Sequence, residues 1–382
     1  MTTPHPLAGL KVLEIGHSIA APYAAFIMGE MGADIIKLEN PGSGDYARGW
    51  GPPFSAGTST IFQAMNRGKR AITADLKDPA QRDRVRRLII EEMDVVLHNL
   101  KPGALDKLGL GAESLLAEKP SLIFCNLGAF GSVGPLKDLP GYDPLMQAFG
   151  GLMSMLGEDG RPPVRVSVSI MDLATGMWSA LGILAAHIER QCTGIGGVID
   201  TSLFETSCAW MGIPLASYLA SGILPARAGS GVREIVPYQA YPTSDGYIMV
   251  ASGNDSLFQR LCQAIGRPDL GADPRYQKNA GRVENRAELI GQLCGTFAAD
   301  TVDAWMPKLA AVGVPAGPVQ TLDQVANHPQ TKAVGMIQTS PDGTTQTVGL
   351  PISFNGTRPQ YRSLAPALGK NNALLDGDAT TP

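Results

Sequence analysis

Short apolar runs that stop at Gly or a polar residue alternate with longer amphipathic stretches through the first third of the chain. LKVLEIG (10–16) is such a run, and SIAAPYAAFIMGEMG (18–32) behind it has the apolar spacing of a helix closed by Gly. ADIIKLEN, RAITADL, DVVLHNL and SLIFCNLGAFG repeat the strand pattern, with a charged amphipathic helix over Ala80–Glu92. Strands alternating with helices predict an α/β fold with a mostly parallel, doubly wound sheet. Ligands of such sheets bind beyond the carboxyl ends of the strands. The residues there are Gly16, His17, Glu39, Asn40, Asp75, Lys77, His98, Asn99 and Asn126–Gly128.

Further on, Val164, Val166, Val168 and Ile170 alternate like a short extended segment, and from Asp172 the pattern turns into a long apolar helix. GGVIDTSLFETSCAWM reads as one more strand and helix completing the first unit. The pattern then changes. Turn-rich text punctuates two short strands, with Asp245-Gly246 as the turn signal, and helices are expected over Ser256–Ile265, Arg282–Ala298 and Thr301–Val312. Residues 227–320 form a smaller α+β domain, while 1–226 and 321–382 make up the large one. MIQTSPDGTTQTVGLPISF alternates like a hairpin, and the tail ALGKNNALLDGDATTP, poor in bulky apolar residues, is expected to be disordered at its end.

At 382 residues, 44% of them hydrophobic, the chain exceeds one ordinary domain and can bury a large core. A net charge of −4 with scattered cations speaks against nucleic-acid and membrane partners. No apolar stretch has the length of a membrane span, and the first residues lack the basic-then-apolar pattern of a secretory leader. Cys125, Cys192, Cys208, Cys262 and Cys294 show no paired spacing and sit in apolar contexts, as buried thiols in a reducing cytoplasm do. Gly16, Gly29 and Gly32 lack the spacing of a dinucleotide-binding turn, no phosphate loop occurs, and no His/Cys cluster has metal-ligand spacing. Nicotinamide and metal chemistry are thereby disfavoured.

On its residues alone, Asp172 reads as a helix N-cap whose ionised form the helix dipole favours. The surrounding text adds a second reading. GYDPLMQAFGGLMSMLGEDGRPPVRVSVSIMDLATG resembles the region of the catalytic aspartate in the family III CoA-transferases (the CaiB/BaiF family). LAGLKVLEIGHSIAAPYAAFIMGEMGADIIKLENPGSGDYARGW, MNRGKRAITADLKDP, VLHNLKPGALDKLGLG, IVPYQAYPTSDGYIMVASGN and GVPAGPV carry the resemblance over nearly the whole chain.

The resemblance implies a Rossmann-like large domain built from both ends of the chain, a small domain, and an interlocked homodimer. It implies Asp172 as nucleophile toward an acyl-CoA thioester, with His17 beside it and no cofactor or metal. Backbone N–H groups near His17 and Ser18 would then stabilise the oxyanions. The family often carries Gln two residues after this His; Ile19 stands there, which shifts any polar role to Ser18. Lys77, Asn99, Ala104, Lys107 and Lys137 fall at positions resembling the family's CoA contacts, whereas Asn40 and Pro41 replace a phosphate-binding Arg. The related α-methylacyl-CoA racemases use Gly-His-Asp where this chain has Gly141-Tyr142-Asp143, and Tyr is a poor base near neutral pH. Transfer is therefore favoured over racemisation. The blocks around Asp172 and Asp245 look most like the branch that uses succinyl-CoA with glutarate or related dicarboxylates. Arg48 and Arg233 are candidates for a distal carboxylate, against the plainer reading of structural or solvated arginines.

Overall fold

A computed structural model describes residues 5–377. Two compact units emerge. The larger runs through Met153, resumes over Arg165–Ile223 and returns from Pro329; the smaller holds Leu224–His328 together with Ser154–Val164. That last stretch had been assigned to the large domain by its position in the chain.

The larger unit is built on six parallel strands: β1 (Lys11–Ile15), β2 (Asp34–Glu39), β3 (Arg70–Thr73), β4 (Val95–His98), β5 (Ile123–Gly128) and β6 (Gly197–Ser202). Their order is β3-β2-β1-β4-β5-β6. This is the order of the doubly wound nucleotide-binding folds, with its switch point between β1 and β4. Neighbouring strand residues face opposite sides of a sheet. Here Val12, Val95, Leu97, Ile123 and Cys125 enter one core, and Leu13, Ile15, Val96 and Phe124 another. Both faces are therefore covered, which is why the strands read as continuous apolar runs.

The helices divide between those cores. α1 (Ala20–Glu30) and α6 (Ile170–Thr193) pack on one face; α3 (Pro79–Glu92) and α4 (Ala112–Glu118) pack on the other, and α2 (Thr60–Asn66) and α5 (Asp143–Phe149) lie between them in the chain. Gly176 governs the α1–α6 crossing: a Cβ there would lie 2.7 Å from the Ala20 carbonyl oxygen. Only Gly lets the two backbones approach this closely. α7 (Leu203–Trp210) and α8 (Gly212–Ser221) follow β6.

The alternation before α6 is not a sheet strand. Gln147 stands in for a partner strand: its Oε1 accepts from the Val166 N–H (2.9 Å) and its Nε2 donates to the Val166 carbonyl (3.2 Å). Satisfied by one side chain, this extended backbone needs no ladder. In the smaller unit Tyr238–Pro242 and Tyr247–Ala251 form the expected hairpin, joined on its other side by Ala316–Pro318. The helix expected over Arg282–Ala298 is broken at Asn285 into Asn279–Glu284 and Arg286–Phe297. Arg282 turns inward there and donates to the carbonyls of Val236 and Tyr276 and to Asp255. Cys192, expected to be buried, is exposed.

The returning segment makes the predicted hairpin, Ile337–Thr339 against Gln346–Val348. It is tied to α1 through buried Arg67, which donates to Thr347 Oγ1 (2.6 Å), Glu30 (2.5 Å) and Gln338 (2.9 Å). The first part of the tail is likewise bound. Asn371 Oδ1 accepts the Ala71 N–H (3.0 Å) and Asn372 Oδ1 the Thr73 N–H (2.7 Å), so the edge strand β3 finds its acceptors in side chains. The last five residues of that expectation lie outside the described residues. Asn371→Ala should therefore destabilise the chain by about 1–3 kcal/mol, the cost of stranding a buried donor, read as a lower denaturant midpoint with an unchanged slope.

Candidate active site

The site grows from the switch point. β1 leads into α1 on one face of the sheet and β4 toward α4 on the other, so the connections part and leave a crevice between them. Asn99 holds the two sides in register: its Oδ1 accepts the His17 N–H (2.9 Å) and its Nδ2 donates to the His17 carbonyl (2.9 Å). Behind it, His98 Nδ1 accepts from the Leu100 N–H (3.3 Å), which leaves the ring proton on Nε2 for Asn126 Oδ1 (2.7 Å). Asn126 in turn donates to Asp200 (2.9 Å). Burial holds the His98 imidazole below its ordinary pKa, consistent with this neutral tautomer.

Ser18 sits at φ 67°, a left-handed conformation that costs a non-glycine residue about 1 kcal/mol or more. A chain of buried charges holds it. Asp45 Oδ1 accepts the Ser18 N–H (3.0 Å) while its Oδ2 meets Lys37 Nζ (2.9 Å). Lys37 also donates to Glu14 (2.7 Å) and the Gly16 carbonyl (2.8 Å), and Glu14 takes a second lysine, Lys69 (2.6 Å). Burial alone would depress Lys37, but the Glu14 and Asp45 carboxylates outweigh it and raise its pKa. Lys69 shares Glu14 with Lys37, and burial brings it down to about 8.

These elements open onto a cleft of about 360 Å³ lined by His17, Ser18, Asn99, Lys101, Tyr142 and Asp172, among others. Asp172 is partly buried in the first turn of α6 and caps nothing. That role belongs to Asp143, whose Oδ2 accepts the Met171 N–H at 2.7 Å and the Asp172 N–H at 3.4 Å. Among the described residues no hydrogen bond reaches the Asp172 carboxylate. The helix dipole was expected to favour its ionised form, yet burial, and then the charge of Asp143, push its pKa up to about 7.

Of the residues singled out in the sequence, Asp172, His17, Ser18 and Asn99 share this cleft; Lys77, Ala104, Lys107 and Lys137 do not line it. Exposed Lys77 follows β3, Ala104 and exposed Lys107 follow β4, and exposed Lys137 follows β5, all beyond the carboxyl edge of the sheet. The His17 and Ser18 N–H groups are not free for an oxyanion, since Asn99 and Asp45 occupy them. The first turn of α1 has no side-chain cap, and its first residue, Ala20, lines the cleft. Arg48 is consumed by Glu39, to which Nη2 (2.6 Å) and Nε (2.8 Å) both donate, and by the Pro366 carbonyl. Lys101, Asp138 and Tyr46 line the cleft without having been singled out; Tyr46 packs its ring 5.5 Å from His17. Lys101 lies two residues past Asn99, and that spacing was the available signal.

A doubly wound sheet with a half-buried carboxylate in the cleft at its switch point defines an α/β protein whose candidate site lies at the strand ends. The model of "CoA-transferase family III" matches residues 7–372. The succinate–glutarate CoA-transferase of Agrobacterium fabrum is 38% identical over 98% of this chain and 96% of its own length. The acetyl-CoA:oxalate CoA-transferase of Acetobacter aceti is 34% identical over 99% of this chain and 96% of its own. A CaiB/BaiF family protein from Brucella suis has a crystal structure that superposes with a TM-score of 0.89, at 39% identity over 98% of this chain and all of that one. The chain belongs to the family III CoA-transferases and is an enzyme of that class.

A raised carboxyl pKa has a sign for stability. The contribution of Asp172 is present below its ordinary pKa and is lost as pH rises through about 7. Asp172→Asn should match the wild type in acid and be more stable above neutral pH, by on the order of 2 kcal/mol after allowing for partial exposure. Denaturant titrations across pH would show the two curves diverge.

Proposed function

We propose that this enzyme moves CoA from an acyl-CoA donor to a carboxylic acid through covalent intermediates on Asp172. The observation that carries this reading is the Asp172 carboxylate, in the cleft, unshared and more basic than an ordinary aspartate. An oxygen of that carboxylate attacks the thioester carbonyl, the carbon–sulfur bond breaks, and CoA leaves as thiolate from an aspartyl–acyl mixed anhydride. The thiolate attacks the aspartyl carbonyl and releases the donor acid as its carboxylate. The resulting aspartyl-CoA thioester is attacked by the acceptor carboxylate, and the same two steps in reverse form the new acyl-CoA and restore Asp172. No separate cofactor or metal takes part; the CoA thioester is substrate.

Oxyanion stabilisation falls to the uncapped first turn of α1 at Ala20, since the neighbouring amides are occupied. His17 lies against the reacting groups. Lys77, Lys107 and Lys137, with Asn99 and Ala104, serve the phosphates and pantetheine of CoA, and Lys101 joins them from within the cleft. Relatives named for glutarate and oxalate transfer support a dicarboxylate acceptor. The working form is a homodimer in the cytoplasm. Its support is the apolar surface along α6 and α8, where Leu181, Ile188, Ile213 and Leu219 are exposed; sedimentation of a folded, active monomer would overturn it.

With donor acyl-CoA and no acceptor, followed by hydroxylamine, the wild type should acquire a hydroxamate on the peptide containing Asp172. Asp172→Asn should lose nearly all turnover. A label on another residue, or substantial transfer by Asp172→Asn, would overturn covalent catalysis at this position, and solvent-proton exchange at the acyl α-carbon would indicate racemase-type chemistry instead.

A further inference from the structure

The free N–H groups at the start of α6 are claimed from outside the helix. Its N-cap, Ser169, makes no side-chain bond to the first turn, and Asp172, an acidic residue in that turn, makes none either. Ordinarily a side chain of one of these types folds back onto the turn and takes the orphan donors. Here Asp143, 1% exposed and at the start of α5, holds Met171 N–H and Asp172 N–H on one oxygen. Its other oxygen accepts from Gln147 Nε2 (2.7 Å), the same amide that clamps Val166. A rigid external acceptor thus occupies the donors that would have drawn Asp172 back onto its own helix.

We propose that Asp143 is a positioning residue of this site: by capping α6 from α5 it leaves Asp172 as an unshared carboxylate in the cleft, and its own charge disfavours a second one beside it. This rests on the reading of Asp172 as the nucleophile. Besides Asp143, the titratable groups that share the cleft with Asp172 are His17, Tyr46, Lys101, Asp138 and Tyr142, and Tyr23 of α1 packs on α6 one turn further along, at Gly176. After burial, it is Asp143 that raises the Asp172 pKa. Repulsion between two carboxylates is relieved when one becomes a neutral anhydride or thioester. Asp143 therefore raises the resting enzyme relative to its acylated form, which favours the first half of the transfer.

Asp143→Asn separates cap from charge, because an amide oxygen still accepts the Met171 N–H while the charge is gone. The variant should stay folded, and the acid limb of donor-acid release from acyl-CoA, measured as a single turnover without acceptor, should move down by about one pH unit. A cap with no further role would leave that limb in place. The carboxyl ¹³C resonance of Asp172, assigned by its loss in Asp172→Asn, should titrate lower by the same amount in Asp143→Asn, and this readout needs no turnover. An unmoved midpoint in a folded Asp143→Asn overturns the proposal even if the hydroxamate maps to Asp172. A hydroxamate elsewhere overturns the nucleophile reading, while the titration still judges Asp143. Asp143→Ser, also a neutral acceptor, is the second variant. Should neither fold, the wild-type resonance decides: an ordinary carboxylate midpoint for Asp172 overturns the proposal.

Discussion

The buried alternation Lys69–Glu14–Lys37–Asp45 is the constraint from which the rest of the site hangs. Four charges taken out of water are tolerable only because each finds an opposite partner, and removing one member strands another at a cost of about 3–5 kcal/mol. The chain runs from Lys69, just before β3, through Glu14 near the end of β1 and Lys37 in β2 to Asp45 in the loop after β2, and ends on the Ser18 amide. What it secures is a backbone conformation, the left-handed turn at which β1 hands over to α1. Gly16 is part of the same device, since a Cβ there would lie 2.8 Å from Ala21 Cβ and 3.0 Å from a Glu14 oxygen.

From this fixed turn the geometry of the cleft follows in two directions. Asn99 carries the register across the switch point to β4, where the His98–Asn126–Asp200 relay anchors it to the rest of the sheet. α1 carries it to α6, whose first turn bears Asp172. Both lysine ammonium groups lie inside the network and neither lines the cleft. The pKa of Asp172 is raised by burial and by Asp143, with no lysine of the network acting on it.

Much of this was legible in the chain, and what escaped had a common cause. Strand and helix alternation was plain because a sheet buried on both faces leaves continuous apolar runs, and the strand-end residues His17 and Asn99 were marked by position. Their pairing was not, since the order of six parallel strands is set by long-range packing rather than by any local signal. Asp172 stood out, but its cap did not, because the acceptor lies on another helix and no spacing rule relates Asp143 to Met171. The valine alternation before α6 marked extended backbone, but not its partner, since a single glutamine from another helix satisfies such backbone as well as a neighbouring strand does. For Arg48 the plainer structural reading is the one that holds, with Glu39, nine residues earlier, as the partner that the spacing alone did not name.

The contact at Gly176 touches a different matter, the precision with which the cleft is shaped. α6 meets α1 mainly backbone to backbone, a Cβ on Gly176 falling 2.7 Å from the Ala20 carbonyl oxygen and 3.2 Å from the Ala24 nitrogen, with the Tyr23 ring edge at 3.1 Å. Side chains in a core hop among rotamers and repack around substitutions, and any spacing they set inherits that play. A spacing set by two main chains in contact has no such freedom. The core on this face can accordingly drift in composition while the distance from the start of α1 to the start of α6 stays fixed, an invariance anchored in one missing methyl group.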